Sequence, residues 1–470
     1  MNSTQPHSSQ QTSPSGSAAA IGVGEGQLIV VLGAAESGVG AAVLAQKQGF
    51  DVFVSDLGAI KDSYKSTLTE YNISFEEGKH TAEKILTAKQ VVKSPGIPDS
   101  APIIKSIKEK NIPVVSEIEF ACRYTTAKMI GITGTNGKTT TTLLTYHILK
   151  KAGLNVGLAG NVGKSFAMQV ATEKFDHYVL ELSSFQLDDM FSFKADIAIL
   201  LNITPDHLDR YDYSLQKYAD AKFRITQNQT SADAFIYCAD DATVTTEALK
   251  KNPAARWYSF SIERENGMNG YLHNNEIHIN TNPNNQFSMS IFELALQGKH
   301  NLYNSMASGI AARILDIRKE TIREGLADFR NAEHRLEFVN TVHGIDFIND
   351  SKATNINSAW YALESMQKPV IWIAGGVDKG NDYSMIADMV KQKVKAIVCL
   401  GTDNKKIKKA FAGIVPDIIE TKSATEAVMA AYKLGKKGDA VLLSPACASF
   451  DLFKNYEERG QQFKAAVRAL

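Results

Sequence analysis

The sequence is poor in cysteine, has no long apolar run and carries no excess of charge of either sign. Its four cysteines are far apart and lack the spacing of metal ligands, which argues against a disulfide framework and favours a reducing cytoplasm. Its longest apolar stretches, which are Ile197–Leu201, Val370–Ala374 and Ala440–Leu443, are predicted to be buried strands and are too short to span a bilayer. Because 51 basic residues balance 51 acidic ones, no net charge attracts nucleic acid or anionic lipid. We therefore expect a cytoplasmic protein without nucleic-acid or membrane partners.

What the chain does have is length, and its 470 residues predict about two to four domains. The first 25 residues are rich in Ser, Gln, Thr and Ala and contain no lysine or arginine. They lack the basic start and apolar core of a secretory signal, so we expect residues 1–25 to form a disordered tail. From Gln27 onward, apolar strands alternate with helical patterns, which predicts parallel α/β layers.

One turn has the residues of a triphosphate-binding loop. An apolar strand, Met129–Ile132, is followed by Gly134-Thr-Asn-Gly-Lys-Thr139 and then by an apolar helix. Such a turn directs backbone N–H groups at a phosphate, while the lysine reaches the β- and γ-phosphates and a threonine hydroxyl binds magnesium. Ile132 stands where the common Gly-x-x-x-x-Gly-Lys-Ser/Thr pattern has its first glycine. The sequence predicts a triphosphate site, and a glycine-rich turn with a surface lysine is the alternative.

The first strand–turn–helix unit has the layout of a dinucleotide fold. Strand Leu28–Leu32 leads into a glycine-containing turn, and strand Val52–Ser55 ends at Asp56. Ala35 stands where the Gly-x-Gly-x-x-Gly pattern needs its second glycine, so nicotinamide binding is not favoured. Binding of another nucleotide at Gly38 and Asp56 and plain packing of strand on helix both remain open.

Metal-binding side chains follow the two strands next to the phosphate loop. Glu181 ends one apolar strand, and His207 follows the next, Ile197–Ile203, in the segment Asp206–Asp209. The carboxyl ends of parallel strands face the ligand crevice, so these groups are candidate partners of a divalent metal. Magnesium prefers oxygen, which makes His207 an unusual ligand. Lys222, considered alone, is predicted to be a solvated residue on a charged helix.

Three polar turns in the last third of the chain each follow an apolar strand, and the first and the last of them open a helix. They are Asn349–Asn355, which contains Lys352, Gly375–Gly380, which contains Lys379, and Leu443–Asp451. Polar groups at a helix start can capture an anion, although any single turn can be simple capping. Three such turns at corresponding strand ends of one sheet predict a site for an anionic small molecule.

Six motifs, in this order along the chain, resemble those of the Mur ligases, ATP-dependent enzymes that form amide bonds in peptidoglycan precursor synthesis. The motifs are Gly134–Thr139 (GTNGKT), Glu181–Leu187 (ELSSFQL), Asn202–Arg210 (NITPDHLDR), Gly298–Asn304 (GKHNLYN), Glu333–Glu337 (EHRLE) and Asn349–Asn355 (NDSKATN). The resemblance extends from about Gln27 to Leu470 and implies an α/β fold with three domains. These would be a Rossmann-like domain for the UDP moiety at 26–122, a central P-loop ATPase domain with a mixed sheet at 123–331, and a Rossmann-like domain for the amino acid at 332–470.

Within the family, three segments are most similar to the branch that adds D-glutamate: Ser94–Pro98 (SPGIP), Asp350–Asn355 and Leu443–Asp451 (LSPACASFD). The resemblance therefore implies an ATP-dependent ligase that joins D-glutamate to UDP-N-acetylmuramoyl-L-alanine through an acyl phosphate, and we expect a monomer. A ligase with another acceptor is the alternative, either of the folylpolyglutamate type or the diamino-acid-adding Mur enzyme, whose Asn-Pro-Arg signature the sequence lacks. A nucleotide-dependent switch would need the phosphate loop but neither Glu181 nor His207.

The resemblance also implies roles for single residues. ATP is expected at Gly134, Thr135, Asn136, Gly137, Lys138, Thr139, Thr140, Asn301, Asn304, Arg335 and Asp350. A pair of Mg²⁺ ions is expected at Thr139, Glu181, His207 and Lys222, with Lys222 carbamylated so that two oxygens replace an ammonium. The expected catalytic residues are Lys138, His207, Lys222 and Lys352. The UDP substrate is expected at Gly33, Ser37, Gly38, Asp56, Gly96, Asn161 and Ser183, and D-glutamate at Lys352, Thr354, Lys379, Ser444 and Phe450. Ala35 replaces a glycine usual in the family's first turn, which leaves the contacts of that turn open.

Overall fold

The computed structural model describes residues 26–282, 286–330 and 333–470. The predicted tail at 1–25 and the predicted domain boundary at 331/332 lie outside these residues. The described chain forms two compact units, the first ending at Phe120 and the second beginning at Ala121.

The first unit is built on a parallel sheet of five strands in the order β3-β2-β1-β4-β5. The strands are β1 (Leu28–Leu32), β2 (Asp51–Asp56), β3 (Ser74–Glu77), β4 (Gln90–Lys93) and β5 (Val114–Val115). The helices are α1 (Glu36–Lys47), α2 (Asp62–Glu70), α3 (Ala82–Ile85) and α4 (Pro102–Glu109), and α5 (Glu117–Ala121) spans the division between the units in the sequence. Because helices cover parallel sheets, the central strand β1 is apolar at every position and almost wholly buried.

The second unit contains two sheets, of which the larger has nine strands in the order β14-β13-β12-β11-β10-β9-β6-β8-β7. Its strands are β6 (Lys128–Thr133), β7 (Val156–Gly160), β8 (His177–Glu181), β9 (Ile197–Leu200), β10 (Ala234–Cys238), β11 (Arg256–Ser261), β12 (Gly270–His273), β13 (Glu276–Asn280) and β14 (Gln286–Ser290). Its helices are α6 (Lys138–Lys151), α7 (Phe166–Thr172), α8 (Ser184–Asp188), α9 (Leu215–Phe223), α10 (Ala242–Lys251), α11 (Lys299–Ile314) and α12 (Lys319–Asp328). The pairs β12–β13 and β13–β14 are antiparallel, so the sheet is mixed.

The smaller sheet has six strands in the order β15-β16-β20-β17-β18-β19. Its strands are β15 (Glu337–Val342), β16 (Ile345–Asn349), β17 (Val370–Ala374), β18 (Val394–Leu400), β19 (Asp417–Thr421) and β20 (Ala440–Leu443), and only β15 pairs antiparallel. Its helices are α13 (Ile356–Ser365), α14 (Ala387–Lys393), α15 (Lys405–Phe411), α16 (Ala424–Leu434) and α17 (Tyr456–Arg468). Trp372 packs into a core with α13, α14 and α15, whereas its neighbour Ile371 packs into a core with α16 and α17. Helices therefore cover both faces of this sheet.

These sheets confirm the predicted α/β fold class, including the mixed central sheet. The bounds predicted for β1, β17 and β20 are those observed. The apolar run Ile197–Ile203 is a strand only as far as Leu200, because the chain then turns to the phosphate loop, where the carbonyl of Asn202 accepts a hydrogen bond from the N–H of Thr135. Within the described ranges, no helix is long and apolar enough to cross a membrane.

Candidate active site

The phosphate loop lies between β6 and α6, at the carboxyl edge of the larger sheet. Gly134 and Gly137 have φ values of 149° and 86°, a backbone region that favours glycine. A Cβ at Gly137 would lie 2.6 Å from Oδ1 of Asn304, so the close approach of α11 also requires glycine there. Helix α6 begins at Lys138, and the N–H groups of a first helical turn have no carbonyl partner within their own helix. These N–H groups are suited to face an anion.

Asn202, just beyond β9, holds the loop in this shape. Its carbonyl accepts a hydrogen bond from the N–H of Thr135 at 2.9 Å, and its Oδ1 accepts one from the N–H of Asn136 at 2.8 Å. The Asn202 amide nitrogen returns a bond to the carbonyl of Asn136 at 3.0 Å. The loop is thus preorganised by the neighbouring strand end.

Two lysines, the half-buried Lys138 and the buried Lys222, converge on the carbonyl of Gly134. The Nζ of Lys138 donates to it at 2.9 Å, and the Nζ of Lys222, from α9, donates to it at 2.8 Å. Burial lowers the pKa of Lys138, and burial together with Lys138 lowers the pKa of Lys222 well below its usual value. Lys222 is only 1% exposed, so the prediction of a solvated helix residue, made from the residue alone, is wrong. The prediction failed because the charged residues near Lys222 in the sequence are typical of a solvated helix face.

Glu181, at the end of β8, has a buried carboxylate with one oxygen hydrogen-bonded. Its Oε1 accepts a hydrogen bond from Nδ2 of Asn161 at 3.0 Å, whereas its Oε2 has no hydrogen-bond partner within the described part of the chain. A buried polar oxygen without a hydrogen-bond partner is costly. Magnesium is a hard cation that prefers oxygen ligands, so the carboxylate at this position fits a divalent cation. Ser183, two residues on, instead caps α8 by accepting from the N–H of Gln186.

His207 faces the same region from the segment that follows β9. Its backbone has a φ of 52°, and its ring packs edge-on against Phe185 with the ring centroids 5.3 Å apart. Its Nε2 lies 3.7 Å from Oδ2 of Asp206. Burial lowers the pKa of His207, and the Asp206 carboxylate opposes this effect. A neutral imidazole can bind a metal ion through a ring nitrogen.

The turn after β16 brings the smaller sheet to the phosphate loop. The Nζ of Lys352 donates a hydrogen bond to Oγ1 of Thr139 at 3.1 Å, and the hydroxyl of Ser358 donates to Oδ1 of Asn136 at 3.0 Å. Burial lowers the pKa of Lys352 to about 8, and the positive charge of Arg335 contributes. The loop therefore faces side chains from both sheets of the second unit.

Two cavities adjoin the loop at this junction, and Arg335 lines both. The residues predicted from the sequence that line the cavity of about 320 Å³ are Thr135, Asn136, Gly137, Lys138, Thr139, Asn161, Glu181, His207, Arg335, Lys352 and Thr354. Those that line the cavity of about 190 Å³ are Asn136, Gly137, Thr140, Asn301, Asn304, Arg335 and Asp350. The structure thus brings the predicted phosphate, metal and ATP residues together around one loop.

Aromatic side chains complete the smaller cavity, and the sequence motifs did not single them out. His300 and Tyr361 line it, with ring centroids 5.1 Å apart. Burial lowers the pKa of His300 to about 4, so this ring is neutral at pH 7. A neutral aromatic wall beside the amides of Asn301 and Asn304 is suited to a flat heterocyclic base.

The residues predicted to bind D-glutamate do not all line one cavity. Lys352 and Thr354 line the larger cavity, whereas Lys379 is exposed on the turn after β17. Ser444 is fully buried, with its hydroxyl donating to Oδ2 of Asp350 at 2.8 Å, and Phe450 is 69% exposed. Neither Ser444 nor Phe450 lines the larger cavity.

Tyr456 and Arg459, which the sequence motifs did not predict, connect the last helix to this region. Tyr456 lines the larger cavity, and the centre of its ring lies 5.5 Å from Nζ of Lys352. Arg459 is 1% exposed and donates to the carbonyls of Ser351 (2.8 Å) and Cys447 (3.2 Å). Spacing could have revealed Arg459, because it shares the buried stripe of α17 with Phe463.

The first unit contains a cavity of about 700 Å³ that is lined by three of the predicted UDP residues, Gly33, Asp56 and Gly96. Ser37 and Gly38 do not line it. A Cβ at Gly38 would lie 1.9 Å from the carbonyl oxygen of Gly33, so this glycine allows α1 to pack against the turn. The remaining predicted UDP residues, Asn161 and Ser183, belong to the second unit.

His80 also lines the cavity of the first unit, and its ring is fixed from behind. Its Nδ1 lies 2.7 Å from the hydroxyl of Ser55, which also bonds to Oε1 of Glu76 at 2.7 Å. The Asp56 carboxylate accepts hydrogen bonds from the N–H groups of Ala34 (2.6 Å) and Gly58 (2.7 Å), so it holds two turns in place. Hydrogen bonds therefore hold both His80 and Asp56 in the wall of this cavity.

The chain is similar in sequence to known ligases. Residues 29–102 match the MurD N-terminal domain, residues 132–312 the Mur ligase middle domain, and residues 334–447 the family described as Mur ligase, glutamate ligase domain. The chain is 60% identical over 443 residues to a UDP-N-acetylmuramoylalanine–D-glutamate ligase of Bacteroides fragilis, and 58% identical over 443 residues to that of Bacteroides thetaiotaomicron. Each alignment covers 94% of this chain and 99% of the relative.

A similar fold is found in a crystal structure of the UDP-N-acetylmuramate–alanine ligase MurC from Thermotoga maritima. The TM-score is 0.61 at 18% identity, over 94% of this chain and 99% of that one, a likeness that concerns the fold alone. The identity of about 60% along nearly the whole chain is what decides the family. The chain belongs to the Mur ligase family, on the branch of the UDP-N-acetylmuramoylalanine–D-glutamate ligases.

Proposed function

We propose that this protein joins D-glutamate to UDP-N-acetylmuramoyl-L-alanine at the expense of ATP, a step of peptidoglycan precursor synthesis. Relatives that are 58% and 60% identical along nearly their whole length are ligases of this kind. One observation carries the proposal: Lys138, the Glu181 carboxylate and Lys352 face a single cavity of about 320 Å³. This cavity has a phosphate-binding loop on one side and lysine and tyrosine side chains of the smaller sheet on the other.

The reaction passes through an acyl phosphate. A carboxylate oxygen of the alanyl substrate attacks the γ-phosphorus of ATP, and the bond to ADP breaks. The amine of D-glutamate then attacks the acyl carbon and loses a proton, and inorganic phosphate leaves with the electrons of the broken C–O bond. Because two anions must approach each other, positive groups are needed between them, and Lys138 and Lys352, which both line the cavity, supply that charge.

Magnesium would be held by Thr139, Glu181 and His207, together with a carbamylated Lys222. When bound, it supplies the charge that neutralises the phosphate oxygens and holds them in line. The unpartnered Oε2 of Glu181 supports this assignment, as does the buried Lys222, whose lowered pKa favours the neutral amine that CO₂ requires. The number of ions is proposed to be two.

The substrates are assigned to subsites by the residues that line each cavity. ATP is proposed to place its base by His300, Asn301 and Asn304, with Arg335 reaching toward the phosphates. D-Glutamate is proposed to lie near Thr354 and Tyr456, which line the larger cavity, and near Lys379, whose charge acts on His207 of the same cavity. The uridine end is proposed to lie near Gly33, Asp56 and Gly96. The corresponding domains are proposed at 26–122, 123–331 and 332–470. We also propose that the protein is a cytoplasmic monomer, in keeping with its four free cysteines.

Phosphate release is the direct test. The protein is mixed with ATP, magnesium and UDP-N-acetylmuramoyl-L-alanine, and phosphate is measured after adding D-glutamate, L-glutamate, L-lysine or diaminopimelate. Of these four amino acids, only D-glutamate is expected to cause phosphate release. Release with L-lysine or diaminopimelate but not with D-glutamate would overturn the acceptor and keep the ligase class. Lys138→Ala should abolish release, whereas Lys150→Ala, exposed on the same helix, should not.

A further inference from the structure

A glycine in the last helix lies against the imidazole of His334. A Cβ built on Gly460 would lie 2.1 Å from Nδ1 and 2.8 Å from Cε1 of that ring. Gly460 is inside α17 and has no positive φ, so its backbone conformation does not require glycine. Glycine in a helix interior costs about 1 kcal/mol relative to alanine. The close approach of the ring is therefore what calls for glycine at this position.

The ring of His334 is fixed by one side-chain amide. Nδ2 of Asn349 donates to Nδ1 of His334 at 2.8 Å and to Oε2 of Glu337 at 3.0 Å, while Oδ1 of Asn349 accepts from the N–H of Ser351 at 3.2 Å. These partners set the orientation of the amide, so Nδ1 of His334 is an acceptor. His334 is 3% exposed and has little room to turn.

The backbone around Arg335 is unusual on both sides. His334 has a φ of 65° and Leu336 a φ of 45°, values that are uncommon for residues other than glycine. The carbonyl of His334 accepts from the N–H of Lys352 at 3.1 Å, and the N–H of Leu336 donates to Oδ1 of Asp350 at 3.2 Å. The segment that carries Arg335 is thus fastened to the turn after β16.

The carboxylates next to His334 are held by a lysine of the last helix. Lys464 donates to Glu333 and, at 3.0 Å, to Oε1 of Glu337. Since one ammonium already bridges both carboxylates, this group of side chains serves to hold the segment Glu333–Glu337 against α17. Gly460 and Lys464 lie one helical turn apart on the same face of α17, and both contact that segment.

We propose that His334, seated on Gly460, is a positioning residue that sets the direction in which Arg335 enters the two cavities beside the phosphate loop. The inference rests on the proposed function, in which Arg335 contacts ATP. Arg335 lines both cavities, and it reaches them from a backbone with positive φ on both sides, next to the closely packed ring of His334. Displacing the ring would move the guanidinium away from ATP while leaving the residues of the phosphate loop in place.

The test compares Gly460→Ala with Gln461→Ala, an exposed neighbour in the same helix. Because a misplacement of about 1 Å can cost about 10²-fold, we expect Gly460→Ala to lower kcat/KM for ATP by about that factor. The KM for UDP-N-acetylmuramoyl-L-alanine and the thermal shift caused by that substrate should stay as in the wild type. Gln461→Ala should match the wild type in all of these. Wild-type kcat/KM for ATP in Gly460→Ala would overturn the inference.

A double-mutant cycle shows whether the two residues act through one contact. With the ring removed by His334→Ala, a Cβ at residue 460 has room, so adding Gly460→Ala should change kcat/KM for ATP by no more than about twofold. The same loss in both backgrounds would overturn the inference. His334→Ala alone should also lower kcat/KM for ATP, and wild-type kinetics in that variant would overturn it even if Gly460→Ala does not fold. A wild-type protein that releases no phosphate with any acceptor would instead overturn the proposed function.

Discussion

The side chain of Lys352 reaches across from the smaller sheet to the phosphate loop, where its Nζ donates a hydrogen bond to Oγ1 of Thr139 at 3.1 Å. Burial lowers the pKa of Lys352 to about 8, and the neighbouring Arg335 adds to this effect. The charge of this lysine therefore changes close to physiological pH. A group that loses its charge near neutral pH gives the enzyme a measurable pH dependence.

We expect kcat/KM for ATP to fall as the pH rises above about 8. Below its pKa Lys352 carries the positive charge that a phosphate needs, and above it the amine is neutral. The pH profile of kcat/KM reports groups of the free enzyme, so this limb should be visible. Lys352→Arg should be slower, because the two side chains differ in geometry, but the alkaline limb near pH 8 should disappear from its profile. The exposed Lys391→Arg is the control, and an unchanged alkaline limb in Lys352→Arg would refute the assignment.

Sequence patterns located the parts of the site that depend on local structure. The phosphate loop, the buried strands β17 and β20 and the polar turns after them follow from apolar runs and glycine positions, which act over a few residues. Lys222 could not be placed in this way, because its burial comes from contact with the carbonyl of Gly134, 88 residues earlier in the chain.

The acceptor side was the hardest part to read from the sequence. Ser444 and Tyr456 both follow β20, yet Ser444 turns inward to Asp350 while Tyr456 lines the larger cavity. The direction of each side chain depends on how α17 packs, which is a tertiary effect. Arg459 was missed for the same reason, although its place on the buried stripe of α17 was visible in the spacing.

Asp350→Asn should stabilise the protein at pH 8 and not at pH 4. Burial raises the pKa of Asp350 to about 7 from the ordinary 3.8, so the folded state holds a proton that the unfolded state has lost between these values. The stability contributed by this group is complete below pH 3.8 and is lost as the pH rises through 7. Asp350→Asn should raise the free energy of unfolding by on the order of 2–4 kcal/mol at pH 8, measured by urea unfolding, and should lower activity.

Asp346→Asn provides a control of opposite sign. Its pKa is held below the ordinary value, because bonds from Lys368 and Thr341 outweigh the effect of burial. Asp346 thus contributes stability above its unfolded pKa and loses it as the pH falls, so Asp346→Asn should destabilise the protein at pH 8. If Asp350→Asn changes the free energy of unfolding by the same amount at pH 4 and at pH 8, the pKa of Asp350 is not raised in the folded protein.

Arg459→Ala should damage the acceptor side without touching the phosphate loop. The guanidinium bonds to the Ser351 hydroxyl at 3.0 Å and to carbonyls of the turns after β16 and β20, and the variant leaves these carbonyls buried without donors. We expect a loss of roughly 3 kcal/mol in the free energy of unfolding and a raised KM for D-glutamate. The KM for ATP should rise less, because Lys352, next to Ser351, is also held to the phosphate loop through Thr139. Arg468→Ala, an exposed arginine of the same helix, should leave both quantities unchanged, and an equal rise in both KM values would contradict a role in holding the acceptor turns.

Lys222 should carry a carbamate that Lys222→Arg lacks. The neutral amine, favoured by burial and by the charge of Lys138, attacks the carbon of CO₂ and loses a proton, which leaves an N–C bond and a carboxylate in place of an ammonium. Protein equilibrated with ¹³C-bicarbonate should show one slowly exchanging carbamate carbon signal, and magnesium should stabilise it because the new oxygens are hard ligands. Arg in this position keeps a positive charge and cannot form the group, so the signal and the phosphate release should disappear together. The exposed Lys217 provides the matched variant Lys217→Arg, in which both should persist. A signal that survives in Lys222→Arg, or full phosphate release in that variant, would exclude this lysine as the source of a metal ligand.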